Sequence, residues 1–235
     1  MPDSIDVSAV EALTFDCYGT LIDWERGLST AFAAVLDAHG IDHPPEDILA
    51  RYAHYEAAAE GGPYRTYVEV LAAGLRGVAA ELGITPSEAE VAAFSRSVED
   101  WPPFPDSTEA LRRLQRRFRL GVLTNCDDDL FAASNRRLDV TFDWVITAQQ
   151  VGSYKPDPRN FEVALDRVGL APERIVHVAQ SLYHDHVPAK RLGLTTVWID
   201  RRHGRPGSGA TPPAEARPDA TYPDMASFAA AVVPD

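Results

Sequence analysis

The chain has 235 residues, a length that fits one α/β domain with an insertion or two small domains. It carries 22 Lys and Arg against 35 Asp and Glu, and the formal net charge of -13 argues against nucleic acid and an anionic membrane surface as partners. Its 2 cysteines are too few for a disulfide framework, and no segment is long and apolar enough to span a membrane. Because the stretch MPDSIDVSAVEAL also lacks the basic region and apolar core of a signal peptide, we expect a cytoplasmic protein.

The predicted strands are short apolar runs, most of them in the second half of the chain. The first is EALTFD, residues 11–16, which ends in an aspartate. The others are LGVLTN (120–125), WVIT (144–147), IVHVAQ (175–180), TTVWID (195–200) and a short run at ATY (220–222). Stretches with helical spacing separate them, several with an acidic residue at the start and glycine at the end. This alternation predicts an α/β fold, a Rossmann-like, doubly wound parallel sheet with helices on both faces.

A long helical block separates the first strand from the others. Between Trp24 and Phe104 the sequence is alanine-rich, has helical periodicity and contains no convincing strand. The block ends in WPPFPDS, where three prolines mark a linker back to the sheet. We therefore predict a core domain of residues 1–23 and 105–235 and an inserted helical-bundle domain of residues 24–104. Residues 201–218, rich in Gly and Pro, predict a long irregular loop.

Polar residues follow three of the predicted strands and are the candidate functional groups. In an open parallel sheet the carboxyl ends of the strands share one edge, where ligands bind. A lysine in the turn SYKPDP lies between the second and third of these positions along the chain. The candidates, in chain order, are Asp16, Thr124, Asn125, Lys155, Gln180, Ser181 and Asp185.

Together these stretches resemble the four motifs of the haloacid dehalogenase superfamily. FDCYGTL is similar to the first motif with its nucleophile Asp16, and VLTN to the second with Thr124. YKPDP is similar to the third with Lys155, and VAQSLYHDHVPAKRLG to the fourth with Asp185. The helical block lies where that family inserts a cap domain. The resemblance covers nearly the whole chain and implies a hydrolase.

Two positions distinguish between the branches of this superfamily. Its phosphatases have an aspartate two residues after the nucleophile, where this chain has Tyr18. They also have a metal-binding acid in the fourth motif, where this chain has Gln180. Neutral side chains at both positions leave Asp16 and Asp185 as the main acids, too few for a tight Mg²⁺ site. We therefore predict no metal and no other cofactor, with Mg²⁺ needed only if the chain is a phosphatase.

The pattern Asp-x-Tyr-Gly-Thr-Leu, residues 16–21, resembles the L-2-haloacid dehalogenase branch. The resemblance implies that Asp16 attacks C2 of a 2-haloalkanoate, expels halide and forms an alkyl ester on the enzyme. Water then hydrolyses the ester and releases a 2-hydroxy acid. The expected partner is thus a small carboxylate substrate. An apolar face of the cap would also be compatible with a homodimer.

Charge and hydrogen-bonding capacity suggest roles for the remaining residues. Lys155 is expected to keep Asp16 ionised and to pair with the substrate carboxylate, and Asp185 to orient Lys155 and activate water. Thr20 is expected to hydrogen-bond the nucleophile. The predicted substrate-binding residues are Tyr18, Thr124, Asn125, Gln180, Ser181 and, for the halide, Arg51 of the cap, with Arg65 as its competitor.

Three alternatives to a dehalogenase stay open at this point. One is a phosphatase with an atypical Mg²⁺ site, and another is a binding protein that holds a small carboxylate without turning it over. The third keeps metal-free Asp16 chemistry but directs it at another activated carbon, such as that of a small cyclic amino acid. Phe161 stands where dehalogenases have a tyrosine after the lysine motif, a departure that bears on the substrate rather than the chemistry.

Overall fold

The structure is a computed structural model that describes residues 5–202, 211 and 213–234. Its centre is a parallel sheet of six strands in the order β3-β2-β1-β4-β5-β6. The strands are β1 (Ala12–Phe15), β2 (Arg119–Thr124), β3 (Trp144–Thr147), β4 (Ile175–Ala179), β5 (Thr195–Ile199) and β6 (Ala220–Tyr222). All six predicted strands are confirmed, as is the α/β, Rossmann-like fold class.

The strands are apolar because helices cover both faces of the sheet. Every residue of β1 and of β4 is buried, as expected for central parallel strands. The core helices are α5 (Ser107–Gln115), α6 (Asp128–Leu138), α7 (Ala148–Val151), α8 (Pro158–Val168), α9 (Val187–Arg191) and α10 (Met225–Val232). A π-helical turn, Leu182–His186, precedes α9. The helical segment after β4 is therefore wider in its first turn than an α-helix.

The strand order places a topological switch point beside β1. The chain passes from β1 to β2 on one side, while β4 pairs with the other side of β1. Loops that leave the carboxyl ends of β1 and β4 therefore diverge and open a crevice between them. Residues that follow these strands end up in one place although more than 150 positions separate them in the sequence.

The block between β1 and β2 is helical, as predicted. It contains α1 (Trp24–Ala38), α2 (Pro45–Glu60), α3 (Tyr67–Glu81), α4 (Glu88–Arg96) and a 3-10 turn (Ser97–Asp100). Buried apolar residues along α1, α3 and α4, including Phe32, Leu75 and Phe94, pack the helices on one another. We call α1 to α4 the cap helices. The limits that we predict for the two domains, at 23/24 and 104/105, stay a prediction.

A carboxylate of the core caps one of the cap helices. Asp127, just before α6, accepts hydrogen bonds from the backbone N–H groups of Tyr67 at 2.9 Å and Val68 at 3.1 Å. These two N–H groups belong to the first turn of α3 and have no acceptor within the helix. The helix also has its own capping box of Thr66 and Glu69. The bond holds the start of α3, and with it Tyr67, against the carboxyl edge of the sheet.

Part of the predicted loop at 201–218 lies outside the described residues. Those that are described in this stretch, 201–202, 211 and 213–218, belong to no helix or strand. In the described part of the chain, no helix has the length and apolar character needed to cross a membrane.

Candidate active site

The predicted nucleophile, lysine and acid form one buried ion-pair network. Lys155 Nζ donates to Asp16 Oδ1 at 2.9 Å, to Asp185 Oδ1 at 2.7 Å and to the Leu123 carbonyl at 2.9 Å. These three acceptors use all three ammonium protons, so the lysine has no proton left for a further partner. Burial lowers the pKa of Lys155, but the two carboxylates outweigh it and raise the pKa, so the side chain stays charged.

The loop after β1 holds Asp16 from its other side. Thr20 Oγ1 donates to Asp16 Oδ2 at 2.6 Å and accepts from the backbone N–H of Gln180 at 2.9 Å. Gly19 has φ 95°, and a Cβ there would lie 2.9 Å from Trp24 Nε1, so the turn requires glycine. Burial raises the pKa of Asp16, while the ammonium and the threonine hydroxyl oppose that rise.

Behind Asp185 lies a histidine that we did not predict as part of the site. His177 Nε2 lies 2.9 Å from Asp185 Oδ1, and His177 Nδ1 lies 2.9 Å from Thr14 Oγ1. Because a carboxylate only accepts, the hydrogen-bond pattern assigns the proton to Nε2 and lets Nδ1 accept from Thr14. Phe161 packs edge-on against this imidazole, with ring centroids 5.1 Å apart.

The network keeps Asp185 ionised. Burial alone would raise its pKa, but Lys155 and His177 outweigh burial and hold the pKa of Asp185 well below its usual range. Its Oδ2 atom is buried and has no hydrogen-bond partner among the described residues. Asp185 therefore has one oxygen bound to the network and one free acceptor.

A cavity of about 60 Å³ lies against these groups, between the sheet edge and the cap helices. This volume admits only a small molecule. The described residues that line the cavity are Asp16, Tyr18, Trp24, Glu56, Glu60, Tyr67, Asn125, Lys155, Gln180, Ser181, His184, Asp185 and Thr211.

The hydroxyl of Tyr18 is turned toward α6. It lies 3.0 Å from Ser134 Oγ and accepts from Cys126 Sγ at 3.3 Å, while its ring meets Trp101 edge-on. Burial raises the pKa of Tyr18 well above its ordinary value, so the phenol stays neutral. Tyr18 therefore presents an uncharged surface at the position where a phosphatase has an acid.

The two polar residues at the end of β2 have different surroundings. Asn125 Nδ2 donates to the Lys155 carbonyl at 3.0 Å, and its Oδ1 accepts from the Lys155 backbone N–H at 2.7 Å. It therefore positions the lysine as well as lining the cavity. Thr124 is buried, its hydroxyl has no partner among the described residues, and it is not part of the cavity wall.

Gln180, Ser181 and His184 form the wall contributed by the turn after β4. Ser181 Oγ caps the π-helical turn by accepting from the His184 backbone N–H at 2.9 Å. Burial lowers the pKa of His184 to about 4, so the imidazole adds no positive charge to the cavity at neutral pH.

The structure does not bring the predicted halide-binding arginines to the cavity. Arg51 forms an ion pair with Glu81 of α3, and Tyr55 donates to the same carboxylate at 2.8 Å. Arg65 is exposed, and its backbone carbonyl accepts from the Tyr154 hydroxyl at 2.8 Å. Neither arginine lines the cavity. Arg51 does not reach it because the face of α2 that carries Arg51 turns toward α3.

The cap helix α2 instead contributes two glutamates to the cavity wall. Glu56 Oε1 accepts from the hydroxyls of Tyr52 at 3.0 Å and Tyr67 at 2.9 Å. Burial raises the pKa of Glu56 to about 7, and the two tyrosines oppose the rise. Glu60, one turn further on, has a pKa raised well above its ordinary value by burial and by Glu56, against the opposing effects of Lys155 and Asn125.

The raised pKa of Glu56 predicts that Glu56→Gln stabilises the protein at pH 8. The folded state binds this proton more tightly than the unfolded chain, so the free energy of unfolding falls as pH rises from about 5 to 7. The pKa difference corresponds to a loss of up to about 3 kcal/mol in the wild type. Glutamine keeps an acceptor for both tyrosines and removes the titration. Urea unfolding at pH 5 and pH 8 should show the stabilisation at pH 8 only.

Glu69→Gln is the matched control for this measurement. Its hydrogen bonds to Thr66 lower the pKa of Glu69, so this variant should lose stability above its ordinary pKa rather than gain it. Equal effects of Glu56→Gln at both pH values would contradict the assignment.

Comparisons with known proteins agree with the motifs and the fold. A family model for haloacid dehalogenase-like hydrolases matches residues 10–192. The chain therefore belongs to the haloacid dehalogenase-like hydrolases, as its four motifs predict, and it is a hydrolase.

The relatives of this chain include proteins named as dehalogenases and proteins named as phosphatases. An (S)-2-haloacid dehalogenase of Pseudomonas putida is 24% identical over 210 residues, which are 83% of this chain and 86% of that one. A phosphoserine phosphatase of Thermus thermophilus is 35% identical over 173 residues, 70% of this chain and 67% of that one. A solved structure of a defluorinating L-2-haloacid dehalogenase matches with a TM-score of 0.81 and 24% identity, covering 97% and 98% of the two chains, which shows a shared fold.

Proposed function

We propose that this chain is a hydrolase in which Asp16 displaces a leaving group from carbon, without a metal, as 2-haloacid dehalogenases do with halide. The observation that supports it best is the pairing of a buried, oriented carboxylate with neutral Tyr18 and Gln180. Displacement of halide from carbon needs a nucleophile but neither a leaving-group acid nor a divalent cation.

The position of Asp16 is suited to nucleophilic attack. Lys155 and Thr20 each hold one of its oxygens, at 2.9 and 2.6 Å, so the carboxylate cannot rotate away. It also lines the cavity, so one oxygen can approach a bound carbon atom.

The described residues do not fit a Mg²⁺ ion. Mg²⁺ prefers an octahedron of oxygen ligands with one or two carboxylates. Here Lys155 bridges Asp16 and Asp185, and Tyr18 and Gln180 occupy the positions of further acids. In the described part of the chain, no group of three or more His, Cys, Asp or Glu side chains could hold a metal ion. We therefore derive no step through a metal.

In the proposed reaction, an Asp16 oxygen attacks C2 of a 2-haloalkanoate as the carbon–halogen bond breaks, and halide leaves with the bonding electrons. Lys155 has no free proton for the substrate carboxylate that we expected it to pair with. Gln180 and Ser181 of the cavity wall offer polar contacts for the substrate instead. Water then attacks the carbonyl carbon of the Asp16 ester, regenerates the carboxylate and releases a 2-hydroxyalkanoate and a proton. The free Oδ2 of Asp185 accepts a hydrogen bond from that water.

A panel of 2-haloacids tests this proposal. It includes fluoroacetate and both enantiomers of 2-chloropropionate, each assayed for halide release with and without EDTA. We expect release that EDTA does not reduce. In a single turnover in ¹⁸O-water the first label should enter Asp16, and label that enters the hydroxy acid directly would rule out the ester.

The phosphatase is the second candidate, and the Thermus thermophilus relative favours it. The chain would be a phosphatase if it hydrolysed p-nitrophenyl phosphate only with Mg²⁺ and released no halide from any haloacid of the panel. The predictions of no cofactor, a homodimer and a cytoplasmic location stay proposals.

A further inference from the structure

The cavity wall carries more acidic than cationic side chains. Its described residues include four carboxyl groups, those of Asp16, Glu56, Glu60 and Asp185, and one cationic side chain, Lys155. Two of the carboxyl groups belong to the core network, and two come from the cap helix α2. A site built only for an anionic acid would place positive charge on the cap side.

Lys155 has no proton left to donate to the cap carboxyl groups. All three of its protons are taken by Asp16, Asp185 and the Leu123 carbonyl, at 2.7 to 2.9 Å. Among the residues that the structure describes, the cap side of the cavity therefore has acceptors and no cation hydrogen-bonded to them.

The acceptors of the cavity are held in place before any ligand binds. The hydroxyls of Tyr52 and Tyr67 both donate to Glu56 Oε1, and Asp127 fixes the start of the helix that carries Tyr67. In the same cavity wall, Asp185 Oδ2 is buried, with its side chain 1% exposed, and has no hydrogen-bond partner among the described residues. A buried carboxylate oxygen without a donor is costly, so this atom indicates a missing donor in the cavity.

Glu60 also lines a second cavity. This cavity, of about 350 Å³, shares Glu60, Lys155 and His184 with the first. Glu60 therefore lies at the boundary between the two cavities.

We infer that Glu56 and Glu60 form a subsite for an ammonium group, so that the substrate is a small amino-acid-like molecule rather than a simple haloacid. An ammonium group has three donors and one positive charge, which match the two cap carboxyl groups and one lone pair of the free Asp185 oxygen, whose second lone pair remains for the hydrolytic water. This inference rests on the proposed function, because it assumes that Asp16 attacks a carbon of the bound molecule.

The subsite has a pH dependence of definite sign. Ammonium binding needs ionised glutamates, and the pKa of both is raised, that of Glu56 to about 7 and that of Glu60 well above its ordinary value, so affinity should rise as pH rises through 7 and beyond. The titratable groups that line the cavity with the two glutamates or bond to them are Tyr52 of the same helix and, from other elements, Asp16, Tyr18, Tyr67, Lys155, His184 and Asp185. Of these, His184 is neutral and Lys155 is charged throughout that range.

Two matched probes test the subsite. 3-Chloropropionate and 3-chloroalanine differ by one ammonium group, and halide release from both is measured at pH 8. We expect kcat/KM to be at least about tenfold higher for 3-chloroalanine, a preference of about 1.4 kcal/mol. Glu60→Gln should remove most of the preference through a rise in KM. Glu46→Gln, an exposed change on the same helix, should leave the preference unchanged.

A binding measurement separates this inference from the proposed function. L-Alanine, which has no leaving group, should raise the melting temperature of the wild type at pH 8 more than propionate does. The shift should shrink in Glu60→Gln and in Glu56→Gln. A preference for propionate and 3-chloropropionate, or an equal preference in wild type and both variants, would overturn the subsite and leave the proposed function standing. Alanine-specific binding without halide release from any haloacid would overturn the proposed function instead.

Discussion

Asp16→Asn is expected to lower kcat by at least about 10⁴-fold on any compound that the wild type hydrolyses. The amide keeps the size of the side chain and can still accept from Thr20, but it cannot form the ester. Because the proposed ester is attached to residue 16, rapid quenching of the wild type during turnover should give a peptide containing residue 16 with the added mass of the substrate's carboxyalkyl group. The variant should not show this adduct.

Asp37→Asn is the matched control. Asp37 is an exposed residue of α1, outside the cavity, and the same substitution there should leave kcat unchanged. Retention of more than about a tenth of the wild-type kcat by Asp16→Asn would contradict the nucleophile assignment, since an unreactive residue at this position cannot support covalent catalysis.

Lys155→Met is expected to destabilise the protein by about 3 to 5 kcal/mol at pH 7, the range for removing one partner of a buried ion pair. The variant leaves Asp16 and Asp185 buried without their shared cation. In the wild type the depressed pKa of Asp185 contributes stability that is present above the unfolded pKa of about 4 and lost as pH falls below it. The difference between variant and wild type should therefore shrink below about pH 4.

The chain has only one other lysine, and it provides the control for this prediction. Lys190 pairs with Asp219 at 2.7 Å on the partly exposed surface, where such pairs contribute about 0 to 1 kcal/mol. Chemical unfolding of Lys155→Met and Lys190→Met at pH 7 should therefore give very different losses. A Lys155→Met protein as stable as Lys190→Met would contradict the buried network.

The core of the site could be predicted because its chemistry lies at strand ends. Asp16, Lys155 and Asp185 are charged residues next to apolar runs, a pattern that parallel sheets produce at their carboxyl edge. The role of Thr20 could be predicted from its place in the same motif, four residues after Asp16. The strands themselves were predictable because buried parallel strands are continuous apolar runs.

Residues inside regular elements were harder to assign. His177 lies within the apolar run of β4, where a histidine is usually a core residue bonded to a neighbour, and only the parallel pairing with β1 brings Thr14 to it. Nothing local to IVHVA reports that contact.

The orientation of α2 explains why Arg51, which we predicted to bind halide, does not reach the cavity. Tyr52, Glu56 and Glu60 are spaced by four residues and so share one face of the helix, which the structure turns toward the cavity. Arg51 is one residue earlier and is rotated by roughly 100° around the axis, to the face that meets Glu81. Which face of an amphipathic helix points to a site depends on tertiary packing, which periodicity alone does not specify.

The site is built from two parts of the chain that can change independently. The groups that hold Asp16 and Lys155 come from β1, β2, β4 or the loops that follow β1 to β4, whereas the glutamates come from a single helix of the cap. Substitutions along α2 at the spacing of Tyr52, Glu56 and Glu60 would alter which molecules are accepted while leaving the nucleophile network intact. Divergence between descendants of this protein should therefore concentrate at these positions, and libraries that vary them are the economical route to new substrates.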